Sequence, residues 1–515
     1  MKTEASVTSK FFYTFFLIIF ISILSFFFST NSIVNNNTLN EGTVGTPLNL
    51  NPLLLSKIQS EKDMASLIFN GLFKLDSEGK IVPDLAKSWN ITPDGTTFTI
   101  KLKKSVYWHD GVLLTAADVS FTLSYLRNSL TLQNRNNIWN DIEVFFVNND
   151  TIIFHLPEKY APFLTHLIFP IIPSHIPIEN YQINPSDSST KIVGTGPYML
   201  FEINQSSASF ERNPSFHFGV PKIKKVNLFF YSSSENIIHA INDNQINTAM
   251  ISLPLNAINL ELNDYKITKQ ILNTSTILYF NNLKAPLNKI QNRQMIHETL
   301  KSKQFFNYLQ EKSLIEITQS GPIPPDSWVG KNIKQLKSTA KNNNQELNYE
   351  KKIRLVTTNE IQMKIFATEI KNYLQQFNLN IEIFQTASNN EILEIIEKRE
   401  FDFILLDKTG SPDSDPYLSW HTSQVIYPGL NIAGLNDIVI DKLLENGRTN
   451  YDNYERLKIY ELFNQRFVYL SPSIVISNPV YSYITKSSLK GIESMYLQDN
   501  ADRLKNIYKW HYVNN

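Results

Sequence analysis

The sequence contains no cysteine in its 515 residues. This absence excludes disulfide bonds, thiolate catalysis and metal sites with cysteine ligands. It also excludes a lipid-modified N-terminal cysteine, which is the usual tether of bacterial surface lipoproteins. Net charge is absent as well, because 48 basic residues balance 48 acidic ones. A balanced charge argues against a nucleic-acid partner, since such partners favour a basic surface.

Charge is also missing from residues 11–28 (FFYTFFLIIFISILSFFF), which are strongly apolar. At ~1.5 Å per residue a helix of this segment spans roughly 27 Å, close to the ~30 Å hydrocarbon core of a bilayer. Lys2 and Lys10 precede it, and the next basic residue is Lys57. This asymmetry predicts a cytoplasmic N-terminus at residues 1–10, a transmembrane anchor at 11–28 and a polar linker at 29–40.

A cleaved signal sequence is the alternative, and the protein would then be secreted. Its apolar region usually has about 7–15 residues, which is shorter than the run found here. The small-residue cleavage pattern after residue 28 is also poor. Under either interpretation the bulk of the chain lies outside the cytoplasmic membrane.

A chain of this length predicts two or three domains, and its 42% hydrophobic and 19% charged residues are typical of globular proteins. Strands are predicted at residues 353–357, 379–384 and 401–406, with amphipathic helices at 361–377 and 391–398 between them. Alternation of this kind predicts parallel strands with right-handed crossovers, hence an α/β fold. Ligands of such sheets bind beyond the carboxyl ends of the strands, so the segment after Leu406 is the first candidate site.

Turn signals such as Asp94-Gly95 and Asp110-Gly111 separate short strands between residues 73 and 165. They predict a small α+β insertion. A second β-α-β stretch at residues 225–251 indicates a second α/β lobe. Residues 276–281 (TILYFN) are apolar and extended, and we expect them to cross between the lobes.

Several motifs occur in one order along the chain, starting with PDLAKSW (83–89), DGTTFT (94–99), VYWHDG (106–111) and TAADV (115–119). Together they resemble the signature region of the extracellular solute-binding proteins of family five, the dipeptide- and oligopeptide-binding receptors of ABC importers. The later segments that fit this family are GTGPY (194–198), RNP (212–214), PK (221–222), GPIPP (321–325), residues 413–421 and residues 431–444. The resemblance covers about residues 42–485.

The resemblance implies a two-lobed periplasmic-binding-protein fold of type II, with a hinged ligand cleft and an extra small α+β domain. Lobe I would comprise residues 41–67, 191–274 and 481–515. The small domain would be residues 68–190, and lobe II residues 275–480.

Catalytic and cofactor motifs are weak. The Trp108-His109-Asp110 segment is best explained as a turn. His297 and Glu298 are adjacent on a predicted helix and therefore point to different faces, so they do not form a metal site. The GTGPY segment lacks the lysine of a phosphate loop. We therefore expect no enzyme activity, no cofactor and no metal.

Peptide-binding members of the family place an acidic residue after the strand of lobe II, where it pairs with the α-amino group of the ligand. A buried ammonium needs such a carboxylate, or its desolvation is not compensated. In this sequence that position falls on Gly410. Asp407 lies three residues earlier and could supply the carboxylate or cap the turn.

Further candidates follow from their positions in the family: a first-strand loop, the crossover into lobe II and the segment after the Asp-Pro turn. Each of them could instead pack or form a turn. The complete set of candidate ligand-binding residues is Thr46, Leu48, Asn49, Tyr279, Asn281, Asn282, Asp407, Thr409, Gly410, Trp420 and His421.

The resemblance implies a receptor that captures a peptide and delivers it to the permease subunits of an ABC transporter, with binding coupled to closure of the lobes. The ligand could instead be a nickel chelate, an opine or an oligosaccharide. A membrane-anchored sensor or scaffold without a transport role is a further alternative. A secreted hydrolase would need a nucleophile and base in the cleft, and the sequence offers no candidate pair.

Overall fold

A computed structural model gives the structure of the chain and describes residues 37–54, 57–128, 138–182, 192–252, 264–311, 321–333, 352–493 and 496–513. The β-strands are, in chain order, β1 Thr38–Val44, β2 Phe73–Leu75, β3 Ile81–Pro83, β4 Ala86–Ile91, β5 Thr97–Leu102, β6 Glu143–Asn148, β7 Thr151–His155, β8 Tyr198–Ile203, β9 Ser207–Arg212, β10 Lys225–Tyr231, β11 Thr248–Ile251, β12 Tyr265–Ile271, β13 Thr274–Phe280, β14 Ile353–Thr358, β15 Ile381–Thr386, β16 Phe403–Thr409, β17 Ser473–Ser477, β18 Val480–Lys486, β19 Leu489–Lys490 and β20 His511–Tyr512. The α-helices are α1 Gln59–Ile68, α2 Ala116–Asn128, α3 Ser234–Asn242, α4 Ile290–Leu300, α5 Lys303–Glu311, α6 Ile361–Gln375, α7 Asn389–Lys398, α8 Tyr417–Trp420, α9 Ile438–Thr449 and α10 Asn453–Leu470.

Two large sheets carry the fold. The first has seven strands in the order β12-β18-β11-β1-β10-β9-β8, with β1 parallel to both β10 and β11. The second has five strands in the order β15-β14-β16-β13-β17. In it β14 is parallel to β15 and β16, as the sequence predicts, whereas β13 runs antiparallel to β16 and β17.

The five-stranded sheet is covered on both faces. One face packs on α4, α5 and α6 through residues such as Leu405 and Phe366. The other face packs on α9 and α10 through residues such as Ile404 and Phe463. Because helices cover both faces of the sheet and exclude water, the strand β16 begins as an uninterrupted apolar run.

The small antiparallel sheet has the order β4-β5-β7-β6 and a core of its own, in which Phe98, Phe154, Phe163 and Trp139 meet. The helix α2 covers this core. It begins at Ala116, and just before it the backbone N–H of Thr115 donates to the Asp118 carboxylate at 2.8 Å. The α+β character expected of this region is therefore present.

Several predicted boundaries need correction. β16 continues to Thr409, so the residues after Leu406 are in a strand and not in a loop. Their ladder with β13 pairs Thr409 with Thr274, which extends the strand past its apolar part. β1 begins at Thr38, inside the predicted linker at 29–40. Because β13 belongs wholly to the five-stranded sheet, the crossover lies before it and not within residues 276–281.

Candidate ligand-binding site

The candidate site lies where the two large sheets meet. The chain passes from β12 to β13 through Leu272 and Asn273, and from β17 to β18 through Asn478 and its neighbour. The Asn478 side chain donates to the carbonyl of Thr274 at 3.0 Å. Both crossovers therefore adjoin the end of β16, where Thr409 pairs with Thr274.

Gly410 follows β16 and is held on both sides by this junction. Its N–H donates to the Asn273 carbonyl at 2.7 Å, and its carbonyl accepts from the Gln498 side chain at 2.5 Å. The Asn273 amide also donates to the Gln498 side chain at 2.7 Å. A Cβ on Gly410 would approach the Asn273 side-chain oxygen to 2.5 Å. This explains in steric terms why the position carries no acidic side chain.

We expect Gly410→Ala to cost about 1–3 kcal/mol, because the added methyl group overpacks the junction. Asn273→Ala removes the obstructing oxygen, so the double variant should lose less stability than the two single variants added together. Urea unfolding of the four proteins measures this coupling. Strictly additive losses would show that Asn273 does not exclude a side chain at this position.

Asp407 lies near the end of β16, on the face of the sheet that also carries Leu405. Its side chain is open to solvent, and one carboxylate oxygen accepts from the Thr276 hydroxyl at 2.6 Å. Protein atoms nevertheless surround the carboxyl group at longer range and displace part of its hydration. This desolvation raises the pKa of the carboxyl group. Glu360 raises that pKa further, whereas Thr276 and Lys57 lower it.

The neighbours of Asp407 come from both sheets. Lys57 precedes α1 beside the seven-stranded sheet, and Glu360 lies at the start of α6. Burial raises the pKa of Tyr481 on β18, and the negative charge of Asp407 adds to the rise. The Asp407 carboxylate therefore lies near charged groups and an aromatic ring that come from both sheets.

The loop after β1 is also at the surface. Thr46 and Leu48 are exposed, Leu48 by 65%. The Glu61 carboxylate on α1 accepts from the backbone N–H groups of Leu48 and Asn49 at 2.9 and 3.0 Å. The buried Glu61 carboxylate thus fixes the loop, although no sequence pattern points to this residue.

Tyr279 and Trp420 are core residues and do not line a surface. Their exposed fractions are 2% and 0%, and their rings stack with centroids 5.7 Å apart. Tyr279 faces the α9–α10 side of the sheet because residues of a strand alternate between its faces. Both rings therefore pack in the core of this structure, and their contact with a ligand stays a prediction.

Asn281 and Asn282 lie at the opposite end of the sheet from Asp407 and Thr409, so they do not form one site with them. Phe280 pairs with Phe403, at the start of β16, whereas Asp407 and Thr409 are near its end. The Asn281 amide donates to the Phe401 carbonyl at 3.0 Å, and the Asn282 amide donates to the Ala433 carbonyl at 2.8 Å. Both side chains therefore fasten loops.

His421 is buried and fully engaged in its own turn. Its ring stacks on Tyr417 with centroids 4.1 Å apart and lies 2.8 Å from the Ser423 hydroxyl and 3.3 Å from Glu445. The candidates that remain at the junction or on open loops are Thr46, Leu48, Asn49, Asp407, Thr409 and Gly410. Their role in binding stays a prediction.

Four residues near Asp407 were not selected as candidates from the sequence: Lys57, Glu360, Thr276 and Tyr481. None of them belongs to a motif, and they come from four separate segments. A weak signal existed only for Glu360, which follows the carboxyl end of the predicted strand at 353–357, the edge at which ligands bind.

The predicted turn at Trp108-His109-Asp110 is present, and its histidine is structural. The His109 ring lies 3.1 Å from the Gly196 carbonyl and accepts from the N–H of Gly194 at 3.2 Å. Burial lowers the pKa of His109 to about 4, so the ring stays neutral at pH 7. Asp110 pairs with His175 instead, at 2.7 Å.

His297 is buried on α4, and burial lowers its pKa to about 3. Within the described ranges no group of three or more His, Asp or Glu side chains could hold a metal ion. No helix in the same part of the chain is long and apolar enough to span a bilayer. The predicted anchor at residues 11–28 lies outside that part.

Comparisons with known proteins bear directly on this arrangement. The family model "Bacterial extracellular solute-binding proteins, family 5 Middle" matches residues 80–427. Protein XP55 of Streptomyces lividans is 32% identical over 185 residues, which are 36% of this chain and 33% of that protein. The chain thus matches about a third of the length of XP55. The oligopeptide-binding protein AppA of Bacillus subtilis is 22% identical over 510 residues, covering 91% of this chain and 90% of AppA.

Solved structures show the same likeness over nearly the whole chain. AppA of Bacillus subtilis in complex with a nonapeptide superposes with a TM-score of 0.69 at 20% identity, covering 93% of this chain and 99% of that chain. NikZ of Campylobacter jejuni in complex with Ni(L-His) gives a TM-score of 0.70 at 21% identity, covering 92% and 99%. At these identities the superpositions establish the two-lobed fold.

Proposed function

We propose that this chain, which belongs to the bacterial extracellular solute-binding proteins of family 5, captures a peptide in the cleft between its two large sheets. Capture needs no covalent chemistry, because closure of the lobes favours the liganded state. Its relative AppA, which aligns with 91% of this chain, is an oligopeptide-binding protein, and this supports a peptide as the ligand.

The observation that carries the proposal is the position of Asp407. Its carboxylate is open to solvent, accepts one hydrogen bond from Thr276 and has a raised pKa. An ammonium group beside it would relieve this desolvation by supplying the opposite charge. We propose that Asp407 takes the α-amino group of the peptide, since Gly410 has no side chain and its backbone is already bound.

A screen of the full chain against di- to hexapeptides tests the ligand class. Thermal unfolding should shift upward with a peptide, because a ligand that binds only the folded state stabilises it. Nickel chelates, opines and oligosaccharides serve as the competing solutes. A shift with one of these and with no peptide would contradict the peptide proposal and leave the solute-binding family unaffected.

We expect Asp407→Asn to weaken binding of a peptide with a free amino terminus by at least about tenfold, or ~1.4 kcal/mol. The same variant should bind the N-acetylated peptide as the wild type does. Asp243→Asn is the matched control, because Asp243 is exposed at the end of α3. Calorimetric titration of both peptides measures the effect, and an equal loss for the two would remove Asp407 as the clamp.

Three further features belong to the same proposal. Residues 11–28 would anchor the protein at the outer face of the cytoplasmic membrane, and the captured peptide would pass to the permease subunits of an ABC transporter. Lobe I would comprise residues 41–67, 191–274 and 481–515, the small domain 68–190 and lobe II 275–480. The strand order supports this division, because β12 and β18 belong to one sheet and β13 and β17 to the other.

A further inference from the structure

A cavity of ≈ 200 Å³ lies beneath the end of β16, beside the candidate site. Alternation along the strand directs Lys408 to the face opposite Asp407, and Lys408 lines this cavity. Other walls come from β13, from the loop after Gly410, from α8 and from residues 322–324. We call it the Lys408 cavity. Its volume corresponds to several waters at about 30 Å³ each, so it can hold a small functional group.

The Lys408 amine has little in the protein to compensate its charge. Its Nζ donates to the Ser419 hydroxyl and lies 5.4 Å from the centre of the Trp420 ring. No carboxylate forms a salt bridge with it among the described residues. Desolvation lowers the pKa of Lys408 to about 7, although the more distant Asp415 opposes the change. Lys408 is partly buried, and an ammonium that has lost part of its hydration and has one hydroxyl partner is costly unless an anion joins it.

The nearby aspartates are already compensated. Asp415, the other charged residue that lines the cavity, accepts from Arg448 at 3.2 Å and from the N–H of Tyr417 at 3.1 Å. Asp413, just before it, is bound by both terminal nitrogens of Arg456. The two arginines neutralise the two carboxylates, and Lys408 is left as the cation in need of a counter-charge.

Hydroxyl groups complete the lining. Ser275, Ser411, Ser414 and Ser419 all border the cavity. Ser414 is 5% exposed, and its hydroxyl has no hydrogen-bond partner among the described residues. Its backbone adopts φ 66°, in the left-handed region that non-glycine residues rarely occupy. An unpartnered buried hydroxyl beside a partly buried amine is a donor set suited to an oxyanion.

We propose that the Lys408 cavity is a subsite for a carboxylate carried by the solute, with the Lys408 amine as its counter-ion. The inference rests on the proposed function, because the carboxylate is taken to belong to the captured peptide. Lys408 and Asp407 are consecutive on β16 and face opposite ways, so one strand end would contact opposite charges of one ligand. The receptor should therefore prefer acidic peptides over their neutral analogues.

Pairs of peptides that differ only in glutamate against glutamine test the preference on the full chain. We expect the glutamate peptide to bind wild type at least tenfold more tightly at one peptide position. Lys408→Met should abolish that preference, so that the two peptides bind the variant with equal affinity. The unliganded variant should melt no lower than wild type, because methionine removes an uncompensated charge at similar size. Lys398→Met is the control, since Lys398 is exposed and pairs with Glu394 on its own helix.

Equal binding of both peptides by wild type would overturn the inference while the receptor function stands. If no peptide binds, the peptide proposal fails, and acetate then probes the cavity alone. Acetate should raise the melting temperature of wild type above that in chloride at equal ionic strength, and should not do so in Lys408→Met. An equal response of both proteins overturns the subsite. Should Lys408→Met not fold, competition by acetate against the glutamate peptide, but not the glutamine peptide, decides the same question on wild type.

Discussion

Replacing Arg503 by methionine is expected to lower the free energy of unfolding by about 3–5 kcal/mol. Arg503 is 5% exposed and is the cation between two fully buried carboxylates. It donates to Asp63 through both terminal nitrogens at 2.7 and 2.8 Å, and to Glu41 at 2.8 Å. Removing it leaves two buried negative charges with no cation.

This cluster connects parts of the chain that are far apart in sequence. Glu41 is on β1, Asp63 is on α1 and Arg503 follows β19 near the C-terminus. Thr248 on β11 and Tyr483 on β18 also donate to Glu41. Burial raises the pKa of Glu41, since one guanidinium cannot fully compensate two carboxylates. The cluster therefore fixes the C-terminal segment against the seven-stranded sheet.

The deficit of Arg503→Met should depend on pH. Without the cation, the folded-state pKa of Glu41, which burial already raises, moves further above its unfolded value. Such a group binds protons more tightly in the folded state, so acidification restores stability to the variant. We expect the difference from wild type to be greatest near pH ~8 and to shrink towards pH ~5.

Urea unfolding followed by tryptophan fluorescence measures the effect, because buried Trp510 lies 6.3 Å from Tyr483 between ring centroids. Arg354→Met is the control. Arg354 reaches Glu400 only at 4.0 Å and is partly exposed, so its loss should cost below about 1 kcal/mol. A small, pH-independent deficit in Arg503→Met would mean that the cluster is not a main support of lobe I.

The five-stranded sheet was largely predictable because its elements have strong local patterns. The apolar run at the start of β16 and the apolar face of α6 are visible in sequence. The helix α7 begins at Asn389, two residues before the predicted helix at 391–398, where the Ser388 side chain caps it. The end of β16 was not predictable in this way. Asp407, Lys408 and Thr409 are polar and became part of the strand only because β13 offers them a partner.

The candidate site was less predictable, for a physical reason. Lys57, Glu360 and Tyr481 interact with Asp407 from three separate segments of the chain, and a single sequence holds no signal that joins them. Too many aromatic and amide residues were selected as candidates, because their side chains are suited to more than one role. Trp420 and Asn282 have side chains that suit ligands, but they also suit a core and a buried carbonyl.

The second large effect is expected in lobe II, where Arg456→Met should also cost about 3–5 kcal/mol. Arg456 on α10 is 3% exposed and grips Asp413 with both terminal nitrogens, while its Nε donates to the Gly447 carbonyl at 2.9 Å. Burial alone would lower the pKa of Arg456, but Asp413 raises it above the usual value. Without the guanidinium, the Asp413 carboxylate remains buried and loses the cation that pairs with it.

Arg466→Met is the matched control for this variant. Arg466 lies on the same helix and pairs with Asp437 at 2.6 Å, but its side chain is 36% exposed. Water can replace that partner, so the control should lose below about 1 kcal/mol. Fluorescence of Trp328, whose ring lies 5.2 Å from the Arg456 guanidinium, reports the unfolding of this region. Equal losses in the two variants would show that burial of the Asp413 pair contributes nothing beyond an exposed one.

Asp413 lies in the loop that lines the Lys408 cavity, so Arg456→Met should change binding as well as stability. With the guanidinium gone, the Asp413 charge is no longer neutralised and opposes an anion near Lys408. We therefore expect the variant to lose its preference for glutamate over glutamine peptides, while Arg466→Met retains it. Raising the overall stability of Arg456→Met with a stabilising osmolyte should restore its folding but not that preference, because the osmolyte adds no positive charge.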